Sequence, residues 1–90
     1  MPVTKTVRDE TLVQESIVAL RQRLHMTQRE LAKEMGLGAV TLSRWESVQC
    51  PESGSIALLA LYAKDRGVDD LAERLFGVVR RRRNEAAACA

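Results

Sequence analysis

Aromatic residues are scarce in this chain of 90 residues, which contains only Trp45, Tyr62 and Phe76. A hydrophobic core must therefore be built from aliphatic side chains. The hydrophobic share of 46% is enough for one small domain but not for two. No run approaches the roughly 20 apolar residues that a membrane-spanning helix needs. Aliphatic residues that recur at helical spacing predict an all-α fold, a compact bundle of about five helices.

Residues with catalytic or metal-binding chemistry are also few. The two cysteines, Cys50 and Cys89, have no CxxC partner, so a zinc site would have to be shared between chains. His25 is the only histidine, and it falls in a predicted loop without an acid-base partner nearby in the sequence. There is no catalytic triad, paired-carboxylate motif or phosphate-binding glycine loop. We therefore predict no enzymatic activity, no metal and no cofactor.

The net charge and the first residues of the chain limit what can be inferred about its partners and its cellular compartment. The net charge is only +2, and the run from Arg80 to Arg83 supplies more positive charge than that. Overall charge is thus a poor argument for nucleic-acid binding, which has to rest on where the charges lie. The first residues lack the apolar segment of a secretory signal, so a reducing cytoplasm is expected.

The most informative stretch begins with a helix-start signal at Thr27. Thr27 and Glu30 fit a capping box, in which each side chain accepts a hydrogen bond from the other residue's backbone amide. Gly36 lies where a residue in the left-handed conformation is expected to end the helix. Between these signals lies a narrow apolar stripe formed by Leu31, Ala32 and Met35. The sequence therefore predicts a short helix with well-marked ends.

A second short helix is predicted after the turn. Leu37, Leu42 and Trp45 recur at a spacing that lets this helix share the same core. The spacing of Trp45 from Leu42 favours a core position over a base-stacking role. The other face of the helix carries Ala39, Val40, Ser43, Arg44 and Ser47. The two helices together form a helix-turn-helix over residues 27–47.

The regions before this motif are predicted as an arm and a helix. Residues 1–10 are polar and are expected to be a flexible N-terminal arm. Thr11 and Gln14 offer a second capping box, which predicts a first helix from there to about Leu24. One face of that helix is continuously apolar, with Val13, Ile17, Leu20 and Leu24. The domain is predicted to cover residues 11–79.

After Pro51, two further helices carry more apolar surface than a small core needs. The fourth is predicted to start near Ser53 or Ser55 and to run to about Arg66, with Gly67 as its terminator. Asp69 or Asp70 is predicted to cap the fifth. On the fourth helix Ile56, Leu59, Ala60 and Ala63 form the inner stripe. The fifth has two stripes, through Leu71, Leu75 and Val78 and through Ala72, Phe76 and Val79. Residues 80–90 form a basic, alanine-rich tail that is suited to extend this helix.

The apolar surplus leaves two interpretations open. A second subunit could cover it, which predicts a homodimer through the last two helices. Alternatively, the fifth helix covers the fourth and Phe76 closes the core of the monomer. The residues of the predicted dimer contact are Leu58, Leu61, Tyr62, Phe76 and Val79.

From about Ile17 to Ala63 the sequence resembles the lambda-repressor/Cro-type (XRE) family of bacterial and phage DNA-binding domains. Capping box, turn glycine and the end of the second helix occur together in the family's spacing, and Pro51 follows where the family favours it. The matching residues are Thr27, Gln28, Glu30, Leu31, Ala32, Gly36, Leu37, Thr41, Leu42, Ser43, Arg44, Trp45 and Glu46. The resemblance implies a lambda-repressor-like all-α fold that binds double-stranded DNA.

Site residues follow from the resemblance position by position. The implied contacts to DNA bases are Ala39, Val40, Ser43 and Arg44. The implied contacts to phosphates are Thr27, Gln28, Ser47 and Gln49. Arg21 and Glu46 are implied to form an ion pair that braces the helices. Ala39 and Val40 depart from the polar residues often found at these positions and offer only apolar contact, for example to a thymine methyl group.

The leading functional hypothesis is a transcriptional regulator, a repressor that binds a palindromic operator as a dimer. The alternative is an antitoxin-type interaction module that binds a toxin-like partner protein and regulates its own gene. Both hypotheses imply a bacterial or phage-encoded protein that lies in the cytoplasm, associated with the nucleoid and not with a membrane.

Overall fold

The computed structural model describes residues 4–89 of the chain, and the burial of side chains for residues 9–85. This part of the chain contains five α-helices and no strand, which confirms the predicted all-α fold class. The helices are α1 Thr4–Arg23, α2 Gln28–Met35, α3 Ala39–Ser47, α4 Ser53–Asp65 and α5 Asp69–Cys89. The helices fall into two compact units, with the boundary between Cys50 and Pro51. The sequence, by contrast, predicts one domain over residues 11–79.

The first unit contains α1, α2 and α3. Helix α1 begins at Thr4, so residues 4–10 are helical where the sequence predicts an arm, while residues 1–3 lie outside the described part. Thr11, which the sequence assigns to a helix cap, lies inside α1. The segment has no proline or glycine that would stop a helix, and this explains why it continues towards the N-terminus. The buried face of α1 carries Val13, Ile17 and Leu20, all fully inaccessible.

The loop after α1 is closed by a residue in the left-handed conformation. His25 has φ = 55°, and its amide donates to the carbonyl of Gln22 at 3.1 Å. The amide of Met26 donates to the carbonyl of Arg21 at 2.9 Å, so the chain turns within a few residues. His25 is exposed, in agreement with its predicted place in a surface loop.

Helix α2 has both of its predicted end signals. The amide of Glu30 donates to Oγ1 of Thr27 at 3.1 Å, and the amide of Thr27 donates to Oε1 of Glu30 at 2.8 Å. At the other end Gly36 has φ = 72° and ψ = 31°. The amide of Leu37 closes the turn by donating to the carbonyl of Ala32 at 2.8 Å. The capping box and the glycine stop are therefore confirmed.

Gly36→Ala is expected to lower the free energy of unfolding by about 1–2 kcal/mol. The space around Gly36 is open, so the cost comes only from placing a Cβ on a left-handed backbone. Gly38 is the matched control, because its surroundings are equally open but its φ is −79°. Gly38→Ala should change the free energy by no more than about 0.5 kcal/mol. Equal losses in urea unfolding of the two variants would contradict this account of the turn.

The core of the first unit also uses α2 and α3. Leu31 and Ala32 of α2 are buried, and so are Leu42 and Trp45 of α3. Trp45 is 8% exposed, which confirms the predicted core position over a base-stacking one. Helix α3 begins one residue after Gly38, whose backbone is extended and provides no side-chain cap.

The second unit is the pair α4 and α5. The predicted inner stripe of α4 is confirmed, since Ile56, Leu59, Ala60 and Ala63 are all fully inaccessible. Gly67, with φ = 81°, follows the end of α4, and the amide of Val68 donates to the carbonyl of Ala63 at 2.8 Å. Asp69 and Asp70 lie inside the first turn of α5 and not at its cap, a place where carboxylates are favoured by the helix dipole.

Packing distinguishes the two apolar stripes of α5. Leu71, Leu75 and Val78 of the first stripe are at most 2% exposed. In the second stripe Ala72 is fully buried, whereas Phe76 and Val79 are only half-buried. On α4, Leu58 and Leu61 remain 57% and 55% exposed, so α5 does not cover them. The guanidinium carbon of Arg66 lies over the ring of Tyr62, 4.9 Å from the ring centroid. One face of the Tyr62 ring is therefore covered.

The arginine run lies within α5, which continues to Cys89. Arg80 contacts Glu73 at 3.4 Å, and Nη1 of Arg82 donates to the carbonyl of Pro51 at 3.2 Å. Consecutive residues of a helix point about 100° apart, so the run is spread around α5 and forms no single basic patch.

Candidate nucleic-acid interface

One carboxylate, that of Glu46, links α3 to the other two helices of the first unit. Arg21 of α1 donates from Nε to Oε2 at 3.0 Å and from Nη2 to Oε1 at 3.2 Å. Gln28 of α2 donates from Nε2 to the same Oε1 at 3.0 Å. The predicted pair of Arg21 and Glu46 is therefore present as a two-pronged ion pair, and it joins all three helices of the first unit.

This contact is largely shielded from water. The side chain of Glu46 is 6% exposed and that of Arg21 is 22% exposed. The third nitrogen of the guanidinium, Nη1, donates to the carbonyl of Met26 at 3.3 Å. Arg21 thus also holds the loop that leads into α2.

The predicted base-contacting residues lie on α3 away from its buried side. Leu42 and Trp45 point into the core. Val40 is 66% exposed, Arg44 is exposed, and Ala39 and Ser43 are half-buried. Residues four apart lie on the same face of a helix, so Val40 and Arg44 share one outward face. Among the described residues, the guanidinium of Arg44 has no hydrogen-bond or ion-pair partner.

The four residues predicted to contact phosphate are placed differently. Thr27 is exposed at the N-terminus of α2, but its hydroxyl oxygen already accepts the capping hydrogen bond. Gln28 is half-buried and its amide nitrogen is engaged by Glu46. Ser47 is exposed and donates from Oγ to the carbonyl of Ser43 at 2.9 Å, while Gln49 is exposed after the end of α3.

An open depression of about 590 Å³ brings three of the predicted DNA-contacting residues together. Thr27 and Gln28 line it from the start of α2 and Ala39 from the start of α3, whereas Ser47 and Gln49 do not line it. The complete lining is Arg21, His25, Met26, Thr27, Gln28, Arg29 and Ala39.

The lining of the depression includes an arginine that the sequence analysis does not single out as functional. Arg29 is exposed there and has no side-chain partner in the described part of the chain. A cation in the first turn of a helix interacts unfavourably with the helix dipole. This unfavourable position of Arg29 is the feature of the sequence that could have indicated a functional role.

Comparison with known protein families gives a match to the segment that contains α2 and α3. A family model described as Helix-turn-helix matches residues 17–60. These residues form a helix-turn-helix domain of the XRE family. The matched segment runs from the middle of α1 into α4 and so includes the whole of α2 and α3. Comparison with curated proteins and with solved structures gave no match.

The XRE family consists of DNA-binding regulatory domains. The chain therefore carries a DNA-binding domain of the type found in transcription regulators, with α2 and α3 as the two helices of its motif. Over the described residues, no cluster of three or more His, Cys, Asp or Glu side chains could hold a metal ion. None of the helices described is both long enough and apolar enough to span a membrane.

Proposed function

We propose that the protein is a sequence-specific transcriptional repressor that binds a palindromic operator as a homodimer. In each subunit the outward face of α3 would contact the bases. The observation that carries this proposal is the state of Arg44, which is exposed and unpaired on that face. A guanidinium can donate to O6 and N7 of one guanine at the same time, a contact worth about 1–3 kcal/mol of discrimination. A free guanidinium opposite a buried helix face is suited to this role.

The other residues of the face complete the base-reading surface. In helix-turn-helix domains the second helix enters the major groove and presents its N-terminal residues to the base edges. Ala39 and Val40 occupy that end of α3 and Ser43 follows one turn later. The hydroxyl of Ser43 is both a donor and an acceptor, so it adds a polar contact next to Arg44.

Phosphate contacts at the start of α2 would set the position of α3 on the duplex. The amides of Gln28 and Arg29 lie in the first turn, where a helix has no internal acceptor for them, and the helix dipole favours an anion there. Arg29 adds a full positive charge at the same depression. Because Gln28 is bonded to Glu46 on α3, a phosphate held here is coupled to the base-reading helix through one hydrogen bond.

The proposed dimer uses the exposed apolar surface of the second unit. One domain on one half-site binds weakly, and two domains on half-sites about 34–36 Å apart are the usual solution. Leu58 and Leu61 are more than half exposed, and Phe76 and Val79 are half-buried. Burial of these side chains against a second copy would remove an apolar surface that the monomer leaves in water.

The double variant Leu58→Gln/Leu61→Gln is expected to weaken the dimer at least tenfold. Both positions are largely exposed, so the monomer should fold normally. Lys64→Gln is the control, because it places the same side chain at another exposed position of α4. Sedimentation equilibrium over a range of protein concentrations measures the effect. If the double variant and Lys64→Gln associate as strongly as the unmodified protein, the dimer surface is wrongly assigned.

The same exposed leucines favour a second candidate, the antitoxin-type module. In that function the apolar surface of α4 would bind a toxin-like protein, and DNA binding would regulate the module's own gene. The two candidates differ in the state of the isolated protein. A protein that stays monomeric at tens of micromolar would favour the partner protein over the homodimer.

Selection from a random pool of duplex DNA tests the proposed function. We expect one enriched sequence with two-fold symmetry, and an affinity that falls linearly on a log-log plot as the salt concentration rises. The affinity for a scrambled duplex of the same composition should be lower by a factor of about 1,000 or more at equal salt. A pool without an enriched sequence would contradict sequence-specific binding.

A further inference from the structure

Val40 has an apolar side chain at a position where a base-contacting residue is expected to be polar. It is the second residue of α3 and 66% exposed. An exposed valine is ordinary on a protein surface taken at large. Here, however, it lies on the same face as the unpaired Arg44, at the end of α3 that enters the groove.

The chemistry of the major groove offers one apolar partner for such a side chain. Base edges there present hydrogen-bond donors and acceptors, and only thymine adds a methyl group, at C5. Val40 has no donor or acceptor in its side chain and would leave a polar edge without a partner. Contact with the thymine methyl instead removes apolar surface of both groups from water.

We propose that Val40 determines specificity by contacting the C5 methyl group of a thymine close to the guanine that Arg44 contacts. This inference rests on the proposed function and names the bases of the half-site. Val40 and Arg44 are four residues apart, a rise of about 6 Å along the helix. Base pairs are spaced by about 3.4 Å. The thymine therefore lies within about two base pairs of the guanine.

A second exposed valine in the same unit provides a control. Val48 is 78% exposed, but it lies at the C-terminal end of α3 and not at the end that enters the groove. Val40→Ala and Val48→Ala remove the same two methyl groups from exposed positions, so neither should disturb the fold. Circular dichroism checks that both variants are folded before binding is compared.

The test replaces each thymine of the selected operator, one at a time, by deoxyuridine, which lacks only the C5 methyl group. We expect one position in each half-site where the replacement weakens binding of the unmodified protein about three- to tenfold. For Val40→Ala the same replacement should change the affinity less than twofold. Val48→Ala should keep the full sensitivity to the missing methyl group.

Each other result overturns the inference about Val40. It is overturned if no thymine lies near the enriched guanine, if no replacement weakens binding, or if Val40→Ala keeps the sensitivity. Failure of the proposed function looks different, because the protein would then show no preference for the selected duplex over a scrambled one. Specific binding without a methyl effect therefore contradicts the role of Val40 alone.

Discussion

Glu46→Ala is expected to lower the free energy of unfolding by about 2–3 kcal/mol. The carboxylate accepts two hydrogen bonds from Arg21 and one from Gln28, and its removal leaves the guanidinium of Arg21 without its counter-charge. Breaking a fully buried pair from one side costs about 3–5 kcal/mol. The expected loss is smaller because the side chain of Arg21 is 22% exposed, and water can solvate part of its charge.

The ion pair of Glu73 and Arg80 provides the control for this prediction. Its two side chains are 67% and 55% exposed, and the atoms in contact are 3.4 Å apart. Glu73→Ala should therefore change the stability by no more than about 0.5 kcal/mol. Urea unfolding followed by circular dichroism reports on both units, and the fluorescence of Trp45, the only tryptophan, reports on the first. Equal losses for the two variants would show that the contacts of Glu46 stabilise the fold no more than an exposed ion pair does.

A double-mutant cycle separates the ion pair from the general effect of truncation. Arg21→Ala should also be destabilising, because it leaves Glu46, only 6% exposed, with Gln28 as its remaining donor. If the two side chains act through each other, the loss in Arg21→Ala/Glu46→Ala will be smaller than the sum of the single losses. Additive losses would mean that the two side chains contribute independently.

The parts of the fold that the sequence predicts well are determined by neighbouring residues. The capping box of α2 needs only Thr27 and Glu30, three residues apart, and the stop needs only Gly36. Such signals act within one helical turn, so they can be recognised without knowledge of the tertiary structure. The buried stripe of α4 follows from periodicity in the same way.

Competing local signals explain the error at the N-terminus. Thr11 and Gln14 have the spacing of a capping box, but a cap forms only where the helix starts. In the structure α1 starts at Thr4, and residues 4–10 contain no proline or glycine that would interrupt the helix. The two stripes of α5 are a related case, since they have equal periodicity and only packing distinguishes Leu75 from Phe76.

The candidate site includes one interaction that depends on distant residues. The resemblance assigns Gln28 to phosphate and Glu46 to an ion pair with Arg21, as separate roles. In the structure Gln28 donates to Glu46, which is 18 residues further along the chain. A contact between two helices depends on how they pack, and local patterns do not contain that information. The phosphate contact of Gln28 remains a prediction.

Arg44→Ala is expected to lower the affinity for the selected operator by about 10- to 100-fold. Of the four residues proposed to contact bases, Arg44 alone has a side chain that can donate two parallel hydrogen bonds to guanine. Arg44 is exposed and has no partner among the described residues, so its replacement should leave the stability of the domain nearly unchanged. The affinity for unrelated DNA should fall much less, because only one positive charge is lost.

Arg29→Ala is the matched control, because it removes the same charge from the start of α2. If Arg29 contacts phosphate, its replacement should weaken binding to operator and scrambled DNA by the same factor, and lower the slope of the salt dependence by about one. The contrast separates a residue that reads bases from one that positions the domain on the duplex.

The most direct test is a parallel titration of the unmodified protein and Arg44→Ala against the selected operator and a scrambled duplex, at one salt concentration. The account predicts that the ratio of the two affinities falls by about 10-fold or more in Arg44→Ala. It also predicts that this ratio is unchanged in Arg29→Ala. A ratio that is the same in Arg44→Ala and the unmodified protein would contradict the assignment of α3 as the helix that reads the DNA sequence.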